Sequence, residues 1–161
     1  MSTVIVFASK YGFTKECAQK VADGLNGEVD IIDLGSTKQV DLSAYDRVII
    51  GGSVYVGKIR KEVSVFCTEN LDVLKEKNLG LFICGMQEES VLKQELADNF
   101  PQELIDEAKS KQYLGGMFNF DKAGFLDKAI MKKIGKTTSN STVFYQENLD
   151  AFIREMNASA E

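Results

Sequence analysis

A chain of 161 residues with 44% apolar content and no low-complexity tract has the bulk for one domain, residues 1–161, with a substantial core. The formal net charge of −5 argues against nucleic acid as a main partner, and the complete lack of histidine removes Ser–His–Asp and Cys–His catalysis and most zinc sites, so no metal site is expected. No window approaches the ~20 continuous apolar residues that cross a bilayer, and the N-terminal segment lacks a signal-peptide pattern, so the expected location is cytoplasmic.

The chain opens on TVIVFASKYGFT, Thr3 to Thr14. Val4 to Phe7 form an apolar run, a small polar loop with Gly12 follows, and a helical pattern starts at Thr14. A helix N-terminus leaves unpaired N–H groups and a positive dipole end, which suits a phosphate. Ser9 and Thr14 also serve as ordinary helix caps in many proteins.

Helical spacing of Cys17, Ala18, Val21, Ala22 and Leu25 predicts a helix over residues 15–25, closed by Asn26-Gly27. Val29 to Leu34 reads as a short strand, and Gly35 to Tyr45 as a polar connection with at most a short helix. Arg47 to Ile50 is a second apolar strand that runs into GGSVYVGK, Gly51 to Lys58. A helix over about 61–77 buries Val63, Phe66, Cys67, Leu71 and Leu74, and Leu79 to Cys84 is the third apolar strand. Residues 88–110 read as an acidic helical region interrupted at Pro101, which suits a new first turn. Tyr113 to Phe118 reads as a glycine-weakened strand, residues 122–134 as a basic amphipathic segment, and residues 146–156 as a closing helix.

Continuous apolar strands alternating with helices mark a parallel sheet covered on both faces. The expected fold is therefore α/β: a three-layer, doubly wound domain with five parallel strands. The cysteines, Cys17, Cys67 and Cys84, are odd in number and widely spaced, so they read as buried apolar residues and not as a disulfide framework.

In such sheets ligands bind beyond the carboxyl ends of the strands. Three strand ends carry unusual loops: Ser9-Lys10-Tyr11-Gly12-Phe13-Thr14; Gly51-Gly52-Ser53-Val54-Tyr55-Val56-Gly57-Lys58; and Cys84-Gly85-Met86-Gln87. Gly52 to Lys58 matches half of a triphosphate-binding loop, but Ile59 stands where magnesium needs Ser or Thr, so that reading fails. Tyr55 suits either a wall for a flat ligand or an interface aromatic. No dinucleotide fingerprint, paired acid after the first strand, or Cys-to-Arg loop is present.

TVIVFASKYGFTKECA and IIGGSVYVGK together resemble the flavodoxins, most clearly over residues 3–85. The resemblance implies an FMN cofactor, with Ser9, Tyr11, Gly12, Phe13 and Thr14 around the phosphate and Lys10 nearby. It also implies Gly52, Ser53, Val54, Tyr55, Val56 and Gly57 along one ring edge, with Tyr55 stacked on the ring, and Cys84, Gly85, Met86 and Gln87 along the other. YDRVIIGGSVYVGK (Tyr45 to Lys58) and GGMFNFDKAGFLDKAIMKKIGK (Gly115 to Lys136) are further similar to the menaquinone-dependent protoporphyrinogen oxidase branch. That similarity implies a dehydrogenase of heme biosynthesis passing electrons to a quinone. The same residues fit a soluble carrier between protein redox partners, or a flavin-binding module without turnover. Two departures stand out: CGMQEES lacks an aromatic for the second flavin face, and the chain is acidic. Acidic surroundings would lower the flavin potential. Residues 122–136 read either as a surface helix with a solvated basic face or as a peripheral membrane contact, and the acidic face over 88–107 either as solvated or as a dock for a basic partner.

Overall fold

The computed structural model describes residues 2–37, 39–118 and 141–158. The basic segment 122–136 lies outside the described residues, as does nearly all of the stretch Gly115 to Lys136 that carried the second resemblance.

The chain runs β1 (Ser2–Ala8), α1 (Phe13–Gly24), β2 (Glu28–Asp33), a 3-10 turn (Leu42–Ala44), β3 (Arg47–Tyr55), β4 (Lys58–Ile59), α2 (Lys61–Glu69), α3 (Leu71–Leu74), β5 (Asn78–Cys84), α4 (Glu89–Asp98), α5 (Gln102–Glu107), β6 (Ser110–Tyr113), β7 (Gly115–Phe118), β8 (Ser141–Phe144) and α6 (Gln146–Ala158). Five parallel strands form the main sheet in the order β2-β1-β3-β5-β6, with β4 folded back antiparallel on β3. This is the doubly wound α/β architecture that the apolar runs predict.

Side-chain alternation along each strand splits the core in two. Val4, Val6, Val48, Ile50, Leu79, Leu81 and Ile83 pack on one face with Val63, Phe66, Leu92 and Leu104 of the helices α2, α4 and α5. Ile5, Phe7, Ile49, Phe82 and Cys84 pack on the other with Cys17, Ala18 and Val21 of α1 and Leu149, Phe152 and Met156 of α6. The central strands are buried on both faces, which is why they read as unbroken apolar runs. Two glycines let the second face close. A β-carbon on Gly51 would strike the Phe82 ring, and one on Gly80 would come within 2.8 Å of the Phe152 ring and the Met156 sulfur. Phe82 and Phe152 meet edge to face, with centroids 5.9 Å apart.

Arg47 is the largest fully buried side chain and has no carboxylate partner among the described residues. Its Nε donates to Thr3 Oγ1, one terminal nitrogen donates to the Met156 carbonyl and the other to the Asn26 carbonyl, each at 2.8 Å. One guanidinium thus ties β1, the exit of α1 and the last turn of α6 to the start of β3.

Several boundaries differ from the sequence reading. Tyr113 to Phe118 is not one strand. Ser110–Tyr113 pairs with β5 in the main sheet, while Gly115–Phe118 pairs antiparallel with β8 in a separate two-stranded ribbon. Gly115, at φ +113, makes the break between them. The helix expected over 61–77 is two pieces separated at Asn70, whose side chain donates to the Phe66 carbonyl at 2.9 Å and competes with helix continuation. The acidic region holds α4 and α5, with Pro101 at the N-cap of α5, and leaves the helix before Ser110. Neither the β4 return nor β8 was expected.

Candidate functional site

The chain passes from β1 out to β2, then crosses back to β3 on the other side of β1. The reversal of winding places a crevice between the carboxyl ends of β1 and β3, where doubly wound sheets bind ligands. A cleft of about 460 Å³, solvent-open space included, lies at that end of the sheet.

The first wall is the loop after β1, with Ser9, Lys10, Tyr11, Phe13 and Thr14 lining the cleft. Gly12 is the N-cap of α1 at φ +91, a conformation that glycine adopts at no steric cost, and no side chain caps the helix. Ser9 instead closes the loop on itself, its Oγ accepting from the Gly12 N–H at 2.8 Å. Thr14 sits inside the first turn at 1% exposure, with its Oγ1 buried and no hydrogen bond formed. Neither Ser9 nor Thr14 is therefore the helix cap.

Ser53, Val54 and Tyr55 at the end of β3 form the second wall. Ser53 Oγ is also buried without a hydrogen bond. Tyr55 pairs with Lys58 across a two-residue turn, Val56-Gly57, whose φ values of 51° and 79° are both left-handed, as a tight hairpin requires. Asn-Gly is the usual choice there; valine at the first position costs about 1–2 kcal/mol. Asn99, the C-cap of α4, holds this hairpin. Its Oδ1 accepts from the Ile59 N–H at 2.9 Å, and its Nδ2 donates to the carbonyls of Gly57 at 3.2 Å and Glu95 at 2.9 Å.

Cys84, Gly85 and Met86 supply the third wall. Gly116 and Met117 of β7 complete it, and neither was anticipated. The Gly85 N–H donates to the Gly115 carbonyl at 2.7 Å, and a β-carbon on Gly116 would collide with the Gly85 backbone. The signal was legible, since paired glycines within an apolar strand mark close backbone approach. Of the remaining expected residues, Gly52 faces Ile59 and Val63 in the core beneath the hairpin, where a β-carbon would lie 2.7 and 2.9 Å from their side chains. Gly12, Val56, Gly57 and Gln87 sit in or beside these loops without lining the cleft.

Electrostatically the cleft differs from the surface. Lys10 carries the only formal charge among the described residues that line it. Its Nζ lies 3.3 Å from the Tyr55 ring centroid and 5.9 Å from that of Tyr11. Such cation–π contacts contribute about 0.5–1 kcal/mol at partly exposed sites. The acidity that suggested a depressed flavin potential comes from acids spread along the chain, none of them among the described residues that line the cleft. Burial, and secondarily the neighbouring Cys17 thiol, hold the Cys84 thiol well above its ordinary pKa, while the adjacent Thr14 hydroxyl pulls weakly the other way. Burial likewise pushes Cys67 up to about 12. Both stay protonated, and all three cysteines are buried and free.

Glu95, on the α4 face beside Asn99, is 8% exposed, with Oε2 buried and unbonded. Burial and the Asp98 charge raise its pKa above the ordinary carboxylate value of 4.5. The folded state then holds its proton more tightly than the unfolded chain, so stability present below pH 4.5 declines as pH rises through the folded pKa. Glu95→Gln is expected to be about 1 kcal/mol more stable than the parent at pH 7, with the difference shrinking in urea melts near pH 4. An unchanged difference across that range would contradict the burial argument.

The chain belongs to the flavodoxin domain family, whose profile matches residues 4–143. Membership implies a flavin. Solved structures agree in fold. A short-chain flavodoxin associated with a non-canonical PDU bacterial microcompartment superposes with a TM-score of 0.62 at 16% identity, covering 100% of this chain and 99% of that one. A flavodoxin from the domain Archaea gives 0.55 at 14% identity over 99% and 96%. The flavodiiron protein from Giardia intestinalis gives 0.56 at 16% identity, over 98% of this chain but 34% of that longer one. Comparison with curated protein sequences finds no match. Among the described residues no helix is long and apolar enough to cross a membrane.

Proposed function

We propose that this cleft binds FMN and that the chain is an FMN-dependent electron-transfer protein. The observation that carries the reading is a pair of buried hydroxyls with no oxygen or nitrogen partner, Thr14 Oγ1 in the first turn of α1 and Ser53 Oγ near the end of β3, on either side of the β1/β3 switch point. A buried hydroxyl without a partner costs about 1–3 kcal/mol, and a ligand with phosphate oxygens at one end and ring heteroatoms at the other removes that cost at both.

The backbone N–H groups at the start of α1, with Ser9, Tyr11, Gly12, Phe13 and Thr14, hold the phosphate. Ser53, Val54 and Tyr55 border one ring edge, with Tyr55 as the flat wall. Cys84, Gly85 and Met86 border the other, joined by Gly116 and Met117. Val54, Met86 and Met117 exclude water and take the place of a second aromatic. FMN, when bound, supplies the one- and two-electron chemistry that no side chain of this histidine-free chain provides.

The purified protein is expected to take up FMN stoichiometrically, with a shifted flavin absorption band that dithionite bleaches and air restores. A colourless protein that leaves titrated FMN unperturbed would overturn the reading. Beyond this, two forms are open: a carrier serving redox partner proteins, and a protoporphyrinogen dehydrogenase passing electrons to a quinone. The second is supported by the sequence similarity of residues 45–58 and 115–136. Porphyrinogen oxidation with menaquinone, run beside reduction by a flavodoxin reductase, distinguishes them.

A further inference from the structure

We infer that Met86 and Met117 form a modification site: in the FMN-free protein, hydrogen peroxide oxidises their thioethers to sulfoxides, and the modified wall holds the flavin ring less tightly. The inference rests on the FMN reading above and adds to it a reversible way of turning the same site down.

Among the described residues the methionines are Met86, Met117 and Met156, and the fold sorts them. Met156 is fully buried in the core with Phe152, against Gly80 of β5. Met86 and Met117 are half-buried, and both line the cleft. The close approach of β7 to the loop after β5 puts them on one wall. The Gly85 N–H donates to the Gly115 carbonyl at 2.7 Å, and Gly116 has no room for a β-carbon against the Gly85 backbone. Cys84, the third sulfur of that wall, behaves differently. It is buried, burial keeps its thiol protonated, and peroxide attack on a thiol needs the thiolate. A thioether has no proton to lose, so its sulfur lone pair is nucleophilic at any ordinary pH. One peroxide oxygen passes to the sulfur, the O–O bond breaks, and the other oxygen leaves as water with both protons. The sulfur is oxidised by two electrons and the peroxide reduced by two. A sulfoxide is polar where the thioether was soft and apolar. It draws water onto the wall where the ring has to pack and gives up the sulfur–aromatic contact.

The test treats the full chain with hydrogen peroxide, with and without saturating FMN, and maps its peptides by mass. Without FMN, Met86 and Met117 are expected to gain one oxygen each while Met156 stays unmodified, and bound FMN is expected to protect both. After the peroxide is removed, the oxidised protein is expected to bind FMN about tenfold more weakly than the untreated protein. Methionine sulfoxide reductases acting on both sulfoxide epimers are expected to restore the affinity. The double variant Met86→Leu, Met117→Leu is compared with its own untreated form, and its affinity, whatever the starting value, is expected not to change with peroxide. Peroxide that leaves both methionines unmodified overturns the inference. So does full modification without loss of affinity, a loss that the reductases remove oxygen from but do not reverse, or an equal loss in the double variant. Each of these leaves the FMN reading intact. Failure of the untreated parent to bind FMN overturns both.

Discussion

Arg47→Met is expected to destabilise the fold by about 3 kcal/mol, lowering the melting temperature by roughly 6–12 °C. Methionine fills much of the arginine's volume, so the cost is not chiefly a cavity. It comes from the acceptors left behind, Thr3 Oγ1 and the Met156 carbonyl in buried positions and the Asn26 carbonyl in a part-buried one, each bonded to the guanidinium at 2.8 Å. Two of these lie at the closing ends of α1 and α6, where backbone carbonyls lack helical partners and the dipole end is negative. A cation is therefore favoured there even without a carboxylate. Burial pushes the Arg47 guanidinium down from its ordinary pKa, but an arginine starts so high that it stays charged. Lysine does not substitute, because an ammonium cannot present the same fork to three acceptors in different directions. Chemical denaturation of the parent, Arg47→Met and Arg47→Lys gives the test, and a loss below about 1 kcal/mol for methionine would show that the three bonds are net neutral.

Thr14→Val separates site from scaffold by the sign of its two effects. Valine is nearly isosteric and removes only a hydroxyl that forms no hydrogen bond in its buried position. The protein without FMN is expected to be as stable as the parent or up to about 1 kcal/mol more stable. Affinity for FMN is expected to fall by about 10- to 100-fold, the worth of one hydrogen bond to a charged group. Thermal melts with and without FMN read both quantities in one experiment. A variant that loses stability without FMN and keeps its affinity would place Thr14 in the scaffold and not at the phosphate.

The architecture was legible because both faces of the sheet are buried. Val4 to Phe7, Arg47 to Ile50 and Leu79 to Cys84 have no polar alternation to obscure them, and all three are central strands. The edges read less well. The fifth strand of the sheet is Ser-Lys-Gln-Tyr at Ser110–Tyr113, half of it partly or fully exposed, and its pairing depends on Leu81 and Ile83 of β5, far away in the sequence. The glycine pair that follows it drew the start of the expected strand three residues too late, to Tyr113 instead of Ser110. Loop positions behaved similarly. Ser9, Thr14 and Tyr55 were recognisable from their place after apolar runs, and the structure brings them to one cleft. Gly52 has the composition of a loop but the environment of the core. Met117 reaches the site only through a ribbon closed by residues 141–144. The charge of the cleft was hidden by the total, since a sum over the chain does not say which charged residues line one crevice.

The Val56-Gly57 turn gives the cleft one wall unlike the other two. A β-branched residue 63% exposed at φ 51° gains nothing from burial to offset its backbone conformation. That position therefore sits above its local energy minimum, and the bonds from Asn99 on one side and the pairing of Tyr55 with Lys58 on the other keep it there. The β1 and β5 sides of the cleft rest on strands that contain no residue at positive φ. The hairpin is therefore the side of the cleft where a change of backbone conformation would relieve strain, and any shape adjustment to a ring at Tyr55 would be expected to concentrate in these two residues.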